Sequence, residues 1–139
     1  MKVKLSDVSV KDWKTVGMPA EAANAIDGDP QTVWTAKALT PLVVDMGKAS
    51  EVIGFSYAPA QKEDLTGTIY KYNFYVSIDG KNWTKCDASG EFSNIMHNPV
   101  PYFVRFGKKY PARYFKLEPA AEINNKPATT VGEVGILLK

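Results

Sequence analysis

Apolar and polar residues alternate with a period of two along much of the chain, which is the pattern of half-buried β-strands. The clearest example runs from Tyr70 to Ile78, where large apolar side chains alternate with more polar ones. The Asp79-Gly80 pair that follows is typical of a hairpin turn, so the chain is expected to continue as a second strand around Trp83. The same alternation predicts further strands at residues 13–16, 42–46, 52–58, 102–106, 113–118 and 132–138.

Turn-forming residues separate these strands and leave almost no helix. Gly47-Lys48 and residues 107–111 are predicted to turn the chain, and residues 35–40 to form a loop. Only Pro19–Ala23 has helical character, over one turn. Short strands with frequent turns predict an all-β fold, an antiparallel β-sandwich. Without a repeat or a linker, residues 1–139 are predicted to form one domain.

Composition and charge narrow the classes of function. The 139 residues are 45% hydrophobic and 23% charged, as in an ordinary globular chain, and the net charge of +2 gives no electrostatic case for nucleic-acid binding. No apolar run reaches the roughly 20 residues of a membrane helix, so no membrane insertion is expected. Cys86 and His97 are the only cysteine and histidine, which excludes an internal disulfide, a thiolate metal cluster and a multi-histidine zinc site.

The stretch 24–34 carries the most suggestive chemistry. Two carboxylates, Asp27 and Asp29, flank a glycine, Pro30 forces a turn, and the hydroxyl of Thr32 follows. Hard cations such as calcium are bound by oxygen atoms of this kind, including backbone carbonyls of tight turns. An Asx turn, in which an aspartate caps its own backbone, fits the same residues. The residues alone leave both interpretations open.

Six motifs follow one another in a fixed order. They are Ala-Ile-Asp27-Gly-Asp-x-x-Thr32-x-Trp34, Val-Asp45-Met-Gly47, Gly54-Phe-x-Tyr57-x-Pro59, Gly67 to Trp83, Arg113-Tyr-Phe-x-Leu117 and Gly132-Glu133-Val-Gly-Ile136. Together they resemble the coagulation-factor type C, or discoidin-like, domains, and in particular the bacterial family 32 carbohydrate-binding modules. Residues 90–95 with Asn98-Pro99 look most like the modules at the C-terminus of secreted bacterial exo-glycosidases, α-L-fucosidases especially. The absence of the cysteine pair that animal members carry favours the bacterial branch.

The resemblance implies a galactose-binding-like jelly-roll sandwich and a function. The chain is expected to be a non-catalytic accessory domain of a glycoside hydrolase that is secreted, periplasmic or on the bacterial cell surface. Its expected partners are a glycan, or the terminal sugar of a glycoconjugate, and the catalytic domain of the parent enzyme. One rival is a structural or protein-contact domain that has lost its sugar site. The other rival is a small glycosidase, for which Glu63-Asp64 with Glu118 or Glu122 would supply the two carboxylates.

The resemblance also implies a structural calcium ion that ties the two ends of the chain together. Carboxylate oxygens are expected from Asp27 and Glu133, and backbone carbonyls from Asn24 and Asp29. Thr32 is expected to supply its carbonyl and its hydroxyl.

The expected sugar site departs from the family pattern. Galactose-binding members have His, Arg and Asn where this chain has Thr35, Ala60 and Thr66, and the second tryptophan of the first loop is missing. We therefore expect weak or no galactose binding. The remaining sugar-contact candidates, in or beside the corresponding loops, are Tyr57, Gln61, Lys62, Asp64, Asn124, Asn125 and Lys126. The three tryptophans, which sit in or beside apolar strand patterns, are predicted to be core residues: Trp13, Trp34 and Trp83.

Overall fold

Antiparallel strands make up about half of the computed structural model, which describes residues 4–29, 31–87 and 90–138. A 3-10 helix, η1, covers Ala20–Ala25, close to the predicted helical turn. The strands are β1 Lys14–Thr15, β2 Trp34–Ala36, β3 Leu42–Ala58, β4 Ile69–Ser77, β5 Thr84–Lys85, β6 Gly90–Glu91, β7 Tyr102–Glu122, β8 Thr129–Val131 and β9 Glu133–Leu137. The all-β prediction is confirmed.

Two long strands, β3 and β7, hold the sandwich together. They pair with each other along their lengths, first through Leu42 opposite Leu117 and finally through Tyr57 opposite Tyr102. The predicted turns at 47–48 and 107–111 are therefore wrong as chain reversals, because the same two strands stay paired on both sides of them. Instead, the pairing register shifts between Asp45 and Ser50, where Gly47 has a φ of +85°.

The sheet folds back on itself to make two layers. The first half of β3 belongs to the larger layer, whose strands are ordered β1-β3-β7-β4-β5. The second half of β3 lies between β7 and β9. Across the interior, Phe55 of the second half stacks on Phe74 of β4, with ring centroids 4.2 Å apart and planes inclined by 6°. Phe74 stacks in turn on Phe115 of β7 at 5.6 Å. This aromatic column is the centre of the core, and all three rings are buried.

The tryptophan predictions are confirmed for two residues and wrong for the third. Trp13 and Trp34 are buried, at 7% and 2% exposure. Trp83 is only half-buried and lies outside the core. Its indole ring packs over the ammonium of Lys116, on the outer surface of the larger layer.

Two local features shape the site, and the first of them differs from the predictions. Residues 34–36 form a strand rather than the start of a loop, because Trp34, Thr35 and Ala36 pair with β8. The N-terminal segment runs beside β9, where the backbone N–H of Asp7 donates to the carbonyl of Ile136 at 2.8 Å. The segment around Asp7 is thus joined to β9 by a backbone hydrogen bond. Within the described ranges, no helix is long and apolar enough to cross a membrane.

Candidate functional site

The loop between η1 and β2 concentrates oxygen atoms around the hydroxyl of Thr32. This hydroxyl lies 2.5 Å from a carboxylate oxygen of Asp27, 2.9 Å from the carbonyl of Asp29 and 3.3 Å from the carbonyl of Asn24. A hydroxyl has one proton and can donate to only one of these three acceptors at a time. The carbonyl of Asp29 also accepts the backbone N–H of Thr32 at 3.2 Å.

Glu133, the first residue of β9, brings a second carboxylate to the same loop. It is only 3% exposed, and its Oε2 accepts a hydrogen bond from the backbone N–H of Gly28 at 2.8 Å. Its Oε1 is buried and has no hydrogen-bond partner among the described residues. Burial raises the pKa of Glu133 to about 8, against the lowering effect of the Gly28 N–H, and the carboxylate of Asp27 raises it further. Among the described residues, neither Asp27 nor Glu133 forms an ion pair.

These atoms fit a hard cation. Three of the predicted ligand residues surround the hydroxyl of a fourth, Thr32, and Glu133 reaches the same loop through Gly28. The side-chain amide of Asn24 donates to the carbonyl of Val33 at 3.0 Å. The backbone carbonyl of Asn24 faces the hydroxyl of Thr32. Among the described residues, no three acidic, histidine or cysteine side chains are grouped to share a metal ion. A cation here would depend on backbone and hydroxyl oxygens, which calcium accepts. Pro30, predicted to shape the turn, lies outside the described residues.

At the edge of the sandwich, Glu122 joins the two loops in which sugar contacts were predicted. It ends β7 and is 2% exposed. Its Oε2 accepts the backbone N–H of Gly67 at 2.8 Å, and its Oε1 accepts those of Asn124 at 2.6 Å and Lys126 at 2.8 Å. One buried carboxylate thus fixes the loop before β4 and the loop before β8 relative to each other.

Thr130 of β8 connects a third segment to this edge. Its hydroxyl donates to the carbonyl of Thr66 at 3.0 Å and lies 3.5 Å from the hydroxyl of Thr35 on β2. Gly67 passes so close that a Cβ added there would lie 2.3 Å from the Thr130 hydroxyl oxygen. The surface formed by Thr35, Thr66 and Asn124–Lys126 is called the rim below.

Tyr57 is not a sugar contact, which corrects the prediction. It is fully buried, and its hydroxyl accepts the backbone N–H of Ile69 at 3.0 Å and donates to the carbonyl of Thr130 at 2.7 Å. Tyr57 supports the rim from below, because it links β4 to β8. Its position at the end of a strand with an apolar face made a surface role and a core role look alike in sequence.

The other predicted sugar contacts are exposed and divide between two places. Asn124, Asn125 and Lys126 lie together at the rim, and Asn125 has a φ of +59°. Gln61 lies toward another loop, where its amide donates to the carbonyls of Pro59 and Pro99 at 3.0 and 3.3 Å. Lys62 and Asp64 are exposed in the same loop as Gln61, and Asp64 caps the backbone N–H of Thr66 at 2.9 Å.

Three of the four carboxylates considered for an enzymatic rival, those of Asp64, Glu118 and Glu122, have other roles in the structure. Both oxygens of Glu122 are occupied by backbone N–H groups. Glu118 accepts the side-chain amide of Asn73 at 3.0 Å on the outer surface of the larger layer. Sequence reasoning considered Glu122 only as this candidate acid and missed its structural role. The available signal was an acid placed between a β-strand and a turn sequence, Asn124-Asn125-Lys126-Pro127.

Comparison with known proteins places the chain in a recognised group. The family model described as the F5/8 type C domain matches residues 5–134. A solved domain of Clostridium perfringens, CpGH89CBM32-5 in complex with GalNAc-β-1,3-galactose, has the same fold, with a TM-score of 0.80. It is 22% identical, and the alignment covers 94% of this chain and 99% of that one.

Two larger proteins contain a similar segment. The crystal structure of a proposed α-L-fucosidase from Bacteroides ovatus is 33% identical, with a TM-score of 0.75, over 100% of this chain and 20% of that protein. Galactose oxidase of Gibberella zeae is 29% identical over 94% of this chain and 20% of its own length. The chain thus spans about a fifth of these two proteins.

Proposed function

The chain belongs to the F5/8 type C domain family, and we propose on this premise that it is a non-catalytic, glycan-binding accessory domain of a glycoside hydrolase. The parent enzyme is proposed to be a bacterial, secreted or cell-surface glycosidase resembling an α-L-fucosidase. The partners are a glycan and the catalytic domain of that enzyme. The similarity to one segment of the Bacteroides ovatus protein supports this assignment.

The observation that carries the proposal is the rim. Loops from three distant parts of the chain meet there, and buried Glu122 and Thr130 fix their relative positions. The exposed groups are hydroxyls, amides and one ammonium, from Thr35, Thr66 and Asn124–Lys126. Such groups donate and accept hydrogen bonds in the directions that sugar hydroxyls require. A pre-formed polar site also loses little conformational entropy on binding.

One observation favours the alternative of a protein-contact domain whose sugar site has been lost. Ala60 occupies the position of the arginine in galactose-binding relatives and is 2% exposed. It offers neither a charge nor a hydrogen-bond donor. If sugar binding is absent, the rim and its loops would serve as a contact surface for another part of the parent protein.

We further propose that calcium is the cation of the 24–34 loop. The supporting observations are the orphaned Oε1 of Glu133 and the three acceptor oxygens crowded around the single proton of Thr32. Asp27 and Glu133 would balance the two charges of the ion and Asn24, Asp29 and Thr32 would complete the oxygen shell. The ion's role is structural, because it would join the first large loop to the last strand.

A glycan array tests the proposed function directly. The wild-type chain is compared with the double variant Asn124→Ala/Lys126→Ala, which removes rim side chains but keeps the backbone N–H groups that Glu122 binds. Lys108→Ala, at a distant exposed lysine, serves as the control. We expect binding to a restricted set of glycans that the double variant loses and the control keeps. Absence of glycan binding by the wild type would favour the protein-contact alternative.

A further inference from the structure

The outer surface of the larger layer carries a cluster of aromatic rings around a lysine. In the register of the sheet, Tyr75 of β4 lies opposite Lys116 of β7 on one side and opposite Lys85 of β5 on the other. The loop between β4 and β5 folds over this surface and brings Trp83 onto it. Tyr75, Trp83 and Lys116 are all half-buried and form what is called the lysine cleft below.

The ammonium of Lys116 is held between two rings. Its Nζ lies 4.7 Å from the ring centroid of Tyr75 and 4.7 Å from that of Trp83. Other lysines that approach a ring do so from farther away and contact only one, as Lys108 does with Tyr110 at 5.2 Å. Two ring faces attract the cation and fix its position, and they also replace part of its water.

No carboxylate neutralises this ammonium within the described part of the chain. The ion pairs found there involve other lysines and Arg113. The nearest acid along β7, Glu118, accepts hydrogen bonds from neutral donors, the amide of Asn73 at 3.0 Å and the hydroxyl of Tyr75 at 3.4 Å. The ammonium of Lys116 is thus a fixed, partly dehydrated positive charge with free N–H donors. The aromatic rings of Tyr75 and Trp83 lie beside it.

We propose that the lysine cleft is a second carbohydrate-contact site, separate from the rim, which takes a uronic acid residue of an acidic glycan. The carboxylate of the sugar would accept hydrogen bonds from the ammonium of Lys116, and an apolar C–H face of the pyranose ring would pack against Trp83. Charge complementarity selects an acidic over a neutral sugar, because an ionised acceptor makes the stronger hydrogen bond. The site lies on the outer face of the sheet. Lys116 and Glu122 are six residues apart on β7, which at about 3.3 Å per residue is about 20 Å.

The test uses a matched pair of disaccharides, cellobiouronic acid and cellobiose, which differ only in one carboxylate. Each is titrated into the full chain while the indole N–H signal of Trp83 is followed by NMR. Cellobiouronic acid is expected to shift this signal saturably and cellobiose to leave it unchanged. Lys116→Met, which keeps the aliphatic stem between the rings, should lower the affinity for the acid roughly tenfold or more.

Two controls decide where the acid binds. Lys108→Met removes a lysine that contacts a single ring elsewhere, and Asn124→Ala/Lys126→Ala alters the rim. Both are expected to keep wild-type affinity for cellobiouronic acid. The proposal is overturned if the wild type does not bind the acid, if it binds both sugars equally, or if Lys116→Met keeps full affinity. It is also overturned if the rim variant loses binding. Because only the Trp83 signal is followed, the first three outcomes do not depend on whether the rim itself binds a glycan.

Discussion

Glu133 and Gly28 are hydrogen-bonded to each other although they are 105 positions apart, with the carboxylate Oε2 2.8 Å from the backbone nitrogen. This contact brings a second carboxylate to the loop of Asp27. Without a cation, burial and the carboxylate of Asp27 disfavour the ionised form of Glu133. We therefore predict that chelation of calcium lowers the Tm of the wild-type chain. An ion that binds only the folded state stabilises it by about 2.7 kcal/mol at 100 times its Kd.

Variants of the two carboxylates separate a bound ion from a general effect of the chelator. Asp27→Asn and Glu133→Gln should melt at the same temperature with and without chelator. Asp64→Asn removes an exposed carboxylate that only caps its own loop, and it should keep the wild-type sensitivity. A wild-type Tm that is identical in calcium and in chelator, measured by scanning calorimetry, would contradict the prediction.

The pH dependence of the metal-free chain provides a second, independent prediction. Burial raises the pKa of Glu133 from 4.5 to about 8 in the folded state. The folded state therefore holds a proton that the unfolded state releases between these two values, so stability should fall as pH rises through this window. The contribution is fully present below about pH 4.5 and lost above about pH 8. A bound cation favours the ionised carboxylate and should remove this slope.

The measurement is urea unfolding in chelator between pH 5 and 8, for the wild type and for Glu133→Gln. Other groups titrate in both proteins, so the difference between the two curves isolates Glu133. The wild type should lose stability relative to Glu133→Gln as pH rises. A difference that is constant across the range would show that Glu133 is not buried as described.

The hydroxyl of Tyr57 is predicted to matter for stability rather than for sugar binding. Tyr57→Phe removes the acceptor of the Ile69 N–H and the donor to the Thr130 carbonyl, both inside the protein. Leaving buried backbone groups unpaired costs about 1–3 kcal/mol each. We expect a lower urea midpoint and unchanged glycan-array binding. Tyr75→Phe, whose hydroxyl makes one 3.4 Å contact on the outer surface, should change the midpoint little.

The sequence was sufficient to predict the fold class, but it predicted the strands of the two layers only in part. Period-2 alternation identified β4 and its hairpin, since each side chain of such a strand faces either core or solvent. It did not identify β3 and β7 as single strands, because the polar residues near Gly47 and Lys108 look like turns. Only the pairing of the two strands with each other shows that the chain continues.

The two candidate sites differed in how far they could be predicted. The oxygen-rich loop is local in sequence, so Asp27, Asp29 and Thr32 could be recognised from spacing, and the family resemblance supplied Glu133. The rim is built by long-range contacts: Glu122 reaches back 55 positions to Gly67, which no spacing rule reveals. The lysine cleft was missed because it too depends on long-range contacts. In addition, Trp83 lies beside an apolar strand pattern and was therefore predicted to be a core residue.

Glu122 is predicted to control the mobility of the rim loops. In Glu122→Gln one acceptor oxygen becomes an amide donor, so at least one of the N–H groups of Gly67, Asn124 and Lys126 loses its partner. Amide hydrogen exchange at the affected positions should become roughly ten to a hundred times faster. Glu118→Gln, which alters only side-chain hydrogen bonds, should leave these amides unchanged. Equal exchange rates in wild type and Glu122→Gln would exclude this role.

Galactose is predicted to bind weakly or not at all, and restoring the family arginine is predicted to fail. Because Ala60 is 2% exposed, Ala60→Arg would bury a guanidinium, and an unpaired buried charge is strongly destabilising. We expect a large fall in Tm for Ala60→Arg and no gain in galactose affinity. Lys62→Arg, two residues away and exposed, should leave the Tm unchanged. Calorimetric titration of galactose into the wild type and both variants provides the affinities. A stable Ala60→Arg protein that binds galactose would show that the rim still has the family's galactose geometry. Micromolar galactose binding by the wild type would show that Thr35, Ala60 and Thr66 are sufficient for galactose binding.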